Sequence, residues 1–187
     1  VETSQTWLVA GLGNPGSRYA RTRHNIGWLA LDGLCPEGGF RAEPRFDGEV
    51  ARLDGAWLLK PWTFMNLSGV AVRALADFYQ IPHDRVLVVL DDAALPFGRL
   101  RLRASGSAGS HNGLASVLTH LATEAVPRLR MGVGAPPLRM ALHDHVLGKF
   151  SAPEEEAMGE FIDRAAEAIR VVLKNGLAAA MNEFNKG

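Results

Sequence analysis

Three side chains that can do chemistry lie in the stretch Gly11-Leu-Gly-Asn-Pro-Gly-Ser-Arg-Tyr-Ala-Arg-Thr-Arg-His-Asn25: Asn14, Tyr19 and His24. Of these, only the imidazole changes charge near neutral pH, so His24 is the candidate base that removes a proton from water. A base of this kind needs a carboxylate on its other ring nitrogen to fix the tautomer and stabilise the imidazolium. Asp91 is the best placed one. It ends Val86-Leu-Val-Val-Leu90, a continuous apolar run of the sort buried on both faces of a sheet. A plainer role, capping a loop, is also open to Asp91 and Asp92.

Asn14, Asn66 and Asn112 fall in three separate polar loops. An amide offers two donors and an acceptor without charge, which suits it to holding an ester or peptide carbonyl and to orienting a water. Asn66 and Asn112 also stand near helix starts, where each fits equally well as a cap. Phe64 and Met65 are apolar residues in a loop after Lys60-Pro61, suited either to walling a cleft or to plugging the core. Arg99, Arg101 and Arg103 alternate with leucines, and Arg128 and Arg130 lie on another strand. Together they can form a basic patch for bidentate phosphate capture, or a solvated strand face with salt bridges to the acidic last helix.

Other chemistries find less support. Gly11-x-Gly13-x-x-Gly16 matches the dinucleotide fingerprint, with Asp32 about twenty residues on. Asp32, however, falls inside the next helical pattern, and Pro15 spoils a tight pyrophosphate cradle. No G-x-S-x-G elbow supports a serine nucleophile, although Ser68, Ser107 and Ser110 are formal candidates. His143-Asp-His145 offers two metal-type ligands without a third in a zinc-like spacing, so no metal site is expected. The lone Cys35 excludes an internal disulfide and a cysteine cluster, and reads as a small buried hydrophobe.

The elements that must carry these groups alternate along the chain. Trp7-Leu-Val-Ala10 reads as a strand leading into the first loop, and Ile26, Leu29, Ala30 and Leu34 give a helix ended by Pro36 and Gly38-Gly39. Asp54-Gly55 between two apolar-alternating runs is a two-residue hairpin signal. Val72, Leu75, Ala76 and Tyr79 mark a second helix, and Leu114 to Leu121 a third. Arg128 to Gly134 reads as a strand, and residues 135–148 as irregular. Ser151-Ala-Pro-Glu154 is a capping box opening a long helix to Asn175-Gly176, with a short helix from Leu177 to Phe184 after it. Interleaved strands and helices predict an α/β fold, a three-layer α/β/α arrangement around a twisted mixed β-sheet, in one domain over residues 1–187. The polar loops follow several different strands, as expected of one cleft at the strand ends.

The 187 residues carry 20 Lys+Arg against 20 Asp+Glu, so nucleic-acid contact must come from a local patch and not from the overall field. No apolar run of about 18 residues predicts a membrane span. Residues 1–6 lack the basic-then-apolar pattern of a leader, so a cytoplasmic protein is expected.

Taken together, the loops resemble bacterial peptidyl-tRNA hydrolase. The matching segments are Gly11-Leu-Gly-Asn-Pro-Gly16 with Tyr19, Thr22-Arg-His-Asn25, Lys60-Pro61 with Thr63-Phe-Met-Asn-Leu-Ser-Gly69, and Asp91-Asp92 with Leu95-Pro96. Further along are Gly106-Ser-Ala-Gly109 with His111-Asn-Gly-Leu114, Arg128 to Gly134, Val146 to Phe150 and Ala180-Met-Asn182, in unbroken order. The resemblance implies a monomer that hydrolyses the ester between a peptide and the 3'-terminal ribose of tRNA, with neither metal nor organic cofactor. It implies that His24 activates water with help from Asp91, and that Asn14, Asn66 and Asn112 hold peptide and water. Tyr19, Phe64, Met65 and His111 would shape the cleft, and Arg103 and Arg130 would grip a phosphate of the acceptor stem next to the CCA end. Ala94, Ser110, Ala115 and Trp62 depart from the residues common at their positions, which bears on RNA contact and loop shape and leaves the reacting groups intact. The rival expectations are an RNA-binding relative without activity, a serine esterase and a dinucleotide-binding protein.

Overall fold

The computed structural model describes residues 5–35 and 38–186; Pro36, expected to end the first helix, lies outside them. Seven strands form one sheet: β1 (Leu8–Gly11), β2 (Arg41–Glu43), β3 (Gly48–Leu53), β4 (Ala56–Pro61), β5 (Val86–Asp92), β6 (Leu100–Arg103) and β7 (Arg128–Gly132), in the order β2-β3-β4-β1-β5-β7-β6. The middle of the sheet is parallel, β4 with β1, β1 with β5 and β5 with β7. The edges are antiparallel, β2 with β3, β3 with β4 and β6 with β7. The helices are α1 (Ile26–Leu34), α2 (Ser68–Phe78), α3 (Asn112–Leu121), α4 (Leu142–Val146), α5 (Ala152–Asn175) and α6 (Leu177–Phe184).

Alternation along each central strand builds two cores, one per face. Val9, Leu58, Leu87 and Val89 pack with α1, α5 and α6, while Leu8, Ala10, Leu59, Val86, Val88 and Leu90 pack with α2 and α3. Both faces are covered, which is why β5 is apolar without a break. The three-layer α/β/α architecture follows, as the sequence predicts.

The expected hairpin is present, with Leu53 opposite Ala56 and Asp54-Gly55 as its turn. Two elements escaped the sequence reading. The three-residue edge strand β2 is too short to show a period, and α4 lies inside the segment read as irregular. At the opposite edge, β6 is met by a side chain at its middle: Asn185 Oδ1 accepts the Leu102 N–H at 2.7 Å and Asn185 Nδ2 donates to the Leu102 carbonyl at 3.0 Å. That pairing satisfies a strand edge without a further strand.

Candidate active site

The parallel strands β1, β4, β5 and β7 all deliver their carboxyl ends to one side of the sheet, and the polar loops gather there. A single 3-10 turn, Arg23–Asn25, carries His24 into the start of α1. Neighbouring side chains fix that turn. Arg23 donates to the His145 carbonyl at 3.2 Å and pairs with Glu154 at 3.1 Å. Asn25, fully buried, accepts the Asn14 N–H and donates to the Asn14 carbonyl, each at 2.9 Å. Two residues flanking His24 thus tie it to α4, to the start of α5 and to the loop after β1.

The alternation that sends Leu87 and Val89 toward α1 puts Asp91 on the same side. There the His24 Nδ1–H meets the Asp91 carboxylate, 2.9 Å from Oδ1 and 2.8 Å from Oδ2. A neutral imidazole that donates from Nδ1 has its lone pair on Nε2, the state a base requires. A second imidazole shares the carboxylate: His111 Nε2 lies 2.8 Å from Asp91 Oδ1. Burial pushes the Asp91 carboxyl up, but the electrostatic pull and hydrogen bond of the His111 ring, followed by those of the His24 ring, outweigh burial and hold it well below the usual carboxylate range. Asp91 therefore stays anionic wherever the imidazoles can act.

His24, Asp91, His111, Asn112 and Arg130 line one cavity of about 270 Å³, with Ala93 and Ala94 on one side and Leu142, His143 and Val146 on another. Asn14, Tyr19, Phe64, Met65 and Asn66 are not part of that lining; buried Asn14 links the His24 turn to the loop after β4, its Oδ1 accepting the Met65 N–H at 2.7 Å. That bond takes one of the two lone pairs of Oδ1 and fixes the amide so that its Nδ2 donors point away from the Met65 N–H. Tyr19 meets Phe64 edge-on, ring centroids 6.5 Å apart, and Phe64 is about half exposed. Asn66 is exposed in the 3-10 turn that precedes α2.

Small residues allow these loops to converge. A Cβ on Gly69 would stand 2.2 Å from the Ser116 carbonyl oxygen, and one on Gly113 would stand 2.3 Å from the Met65 sulfur. The start of α2 can approach α3 this closely because position 69 is glycine and the obstructing atom is backbone, while at Gly113 the neighbour is the flexible Met65 side chain; this contact brings the Asn66 and Asn112 loops side by side.

Several expectations need correction or refinement. Neither Asn66 nor Asn112 caps a helix: Asn112 is the first residue of α3, and the cap is His111, whose Nδ1 accepts the Leu114 N–H at 3.1 Å. Arg128 does not belong to a basic patch. It is fully buried, donating to the carbonyls of Val126, Ser107 and Glu124, so it braces the loop before α3. Arg101 and Arg103 share its face of the β6–β7 ladder, opposite Arg130 and Arg128 respectively. Arg130 reaches Asp92 at 3.5 Å and the cavity, whereas Arg103 is exposed and outside the cavity lining. Asp32 pairs with Lys60 in place of a ribose. His145 is buried and donates to the Gly134 carbonyl at 2.9 Å, which removes it from any metal pair with His143. The sequence reading missed the His111–Asp91 contact and the bracing roles of Arg23 and Asn25. All three sit in the quoted motifs, but nothing in their spacing tells which partner each meets.

The ligand atoms of His24, Asp91 and His111 lie within 4.8 Å of one another, a spacing a cation could also use. Here both nitrogens face the carboxylate as hydrogen-bond partners, which satisfies it without one. Among the described residues, no helix is long and apolar enough to cross a membrane.

Residues 8–187 match the family profile described as peptidyl-tRNA hydrolase. The chain is 48% identical over 185 residues to a peptidyl-tRNA hydrolase of Chloroflexus aurantiacus, covering 96% of this chain and 98% of that one. It is 50% identical over 191 residues to one from Synechococcus, covering 99% of this chain and 85% of the relative. The crystal structure of peptidyl-tRNA hydrolase from Acinetobacter baumannii superposes with a TM-score of 0.88 at 35% identity, covering 99% of this chain and 97% of that one. With sequence, fold and the order of the cleft loops all in agreement, the chain belongs to the peptidyl-tRNA hydrolase family of enzymes.

Proposed function

We propose that this chain hydrolyses the ester joining a peptide, or an N-blocked amino acid, to the 3'-terminal ribose of tRNA. It acts as a cytoplasmic monomer, and water is the nucleophile. The observation that carries this reading is the buried Asp91 behind His24, in a cavity that Arg130 also enters. His24 takes a proton from water as that water attacks the ester carbonyl. Asp91 stabilises the imidazolium, which then returns the proton to the departing ribose oxygen. Asn66 and Asn112 orient the water and offer donors to the developing oxyanion. Asn14 donates Nδ2 to a main-chain carbonyl of the peptide, while Tyr19, Phe64, Met65 and His111 wall the groove. Recognition through the peptide backbone explains indifference to sequence and rejection of an unblocked amine. Arg103 and Arg130 hold a phosphate of the acceptor stem, with the CCA end running from them toward His24. No metal or organic cofactor enters the scheme.

A covalent route through serine is less well supported. Ser68 Oγ donates to the Met65 carbonyl at 2.7 Å, and no serine hydrogen-bonds to His24 among the described residues.

The test compares release of N-acetylated and unblocked amino acids from tRNA by the purified chain. Turnover of the blocked substrate alone is expected. His24→Ala should lower kcat by a factor of about 10²–10⁴ with tRNA binding retained. Full activity in that variant would reject the base, a trapped acyl-enzyme would reinstate the serine, and tight RNA binding without turnover in the unaltered chain would leave only a binding protein.

A further inference from the structure

His111 does more than bound the cleft, because its two nitrogens are committed in opposite senses. Nδ1 accepts the Leu114 N–H in the first turn of α3 at 3.1 Å, and Nε2 stands 2.8 Å from Asp91 Oδ1. A ring nitrogen that accepts a hydrogen bond carries no proton, so His111 is held neutral with its proton on Nε2, donating to Asp91. Its ring lies 4.9 Å from that of His24, centroid to centroid, at 52°. One carboxylate, its side chain only 2% exposed, thus serves two imidazoles at once.

We propose that His111 is a positioning residue for the reaction: by sharing Asp91 in a fixed neutral tautomer, it lowers the proton affinity of His24 below what an undivided carboxylate would impose. The proposal rests on the reading of His24 as the base. A hydrogen bond to the charged form of an acid favours that form and weakens its grip on any other proton. With His111 donating, Asp91 stabilises the His24 imidazolium less, so more of the enzyme enters the reaction with Nε2 bare.

The charged and titratable groups around the pair do not take over this role. Asp92, the other acid of the cavity wall, faces Arg130 at 3.5 Å. Arg23, next to His24, is turned toward Glu154 and the His145 carbonyl. From α4, His143 lines the same cavity, with Asp144 beside it on its own helix. The Leu114 N–H explains why His111 stays a donor to Asp91: a proton on Nδ1 would break the cap of α3.

Two substitutions separate the cap from the link to the carboxylate. Asparagine is a favoured cap, and in His111→Asn it can accept the Leu114 N–H but is too short to reach Asp91 as well. In His111→Gln the longer amide can donate to Asp91. The readouts are the imidazole titration of His24 by NMR and the acid limb of kcat/KM for N-acetylaminoacyl-tRNA. In His111→Asn both midpoints should rise by roughly half to one pH unit, a loss of roughly three- to tenfold on the acid side that recovers at higher pH. His111→Gln should restore much of the difference. An unmoved His24 midpoint in His111→Asn, or a glutamine variant no nearer to the parent than the asparagine one, overturns the proposal. A shifted midpoint in a chain whose unaltered form does not hydrolyse the substrate would leave the coupling standing and remove the hydrolase reading instead.

Discussion

At the scale of single residues, the three asparagines that look alike in the sequence are not equivalent. Asn14 is buried and its Oδ1 accepts the Met65 N–H. Asn66 and Asn112 are exposed and make no side-chain hydrogen bond among the described residues. Asn14→Ala should therefore cost about 1–3 kcal/mol of stability as well as activity, because it orphans a buried donor. Asn66→Ala and Asn112→Ala should lower kcat while changing stability by no more than about 0.5 kcal/mol. Denaturant melts alongside the kinetics separate the two cases. Phe64 is the strained residue of the site, with φ 60° and ψ 158°, a region occupied almost only by glycine. Phe64→Gly should gain on the order of 1 kcal/mol, after allowing for the entropy glycine adds to the unfolded chain, and should raise KM for the peptide-bearing substrate. A neutral or lower melting temperature would show that the surrounding loop, and not the backbone at Phe64, sets the local energy. The identity of these residues was legible in the sequence. Their division into braced and free was not, since it depends on which backbone group comes to lie opposite each amide.

At the scale of elements, the geometry of the candidate site depends on how closely α2 and α3 approach at their starts. Gly69→Ala would put a Cβ against the Ser116 carbonyl, backbone that cannot step aside, and would disturb the hydrogen bond from the Gly69 N–H to Ser116 Oγ at 3.0 Å. The expected cost is about 1–3 kcal/mol, with kcat reduced because the Asn66 and Asn112 loops are pushed apart. Unchanged kcat with lowered stability would show that the loops hold their places independently of the helices. The capping box of α5 was plain from Ser151 and Glu154, and the structure contains it. The second use of Glu154, as the anchor of Arg23, was not legible: the two lie 131 residues apart along the chain. Short elements are the ones that escaped. Neither three residues at an edge nor five in a helix show a period that stands out from chance.

For the whole molecule, a formal net charge of zero means that attraction to RNA must be local. Activity on a tRNA substrate should fall with added salt through KM. Arg103→Ala and Arg130→Ala should each reduce the slope of log KM against log salt by about one, with kcat preserved. Equal slopes in parent and variants would place the RNA contact elsewhere. Arg128 shows the limit of pattern reading at this scale. In alternation it is indistinguishable from Arg130, yet the loop before α3 folds over it and turns a surface cation into an internal brace.

By itself the sequence determined the α/β alternation, the two-faced burial of β5, the hairpin and the long capped helix, because each is written in spacing over a few neighbouring positions. The tertiary structure alone decided that one carboxylate serves two imidazoles, that Arg128 lies inside while Arg103 stays outside, and that Arg23 and Asn25 clamp the turn that carries His24. Those outcomes arise where segments distant along the chain are brought into contact, and no local period encodes which atoms will meet there.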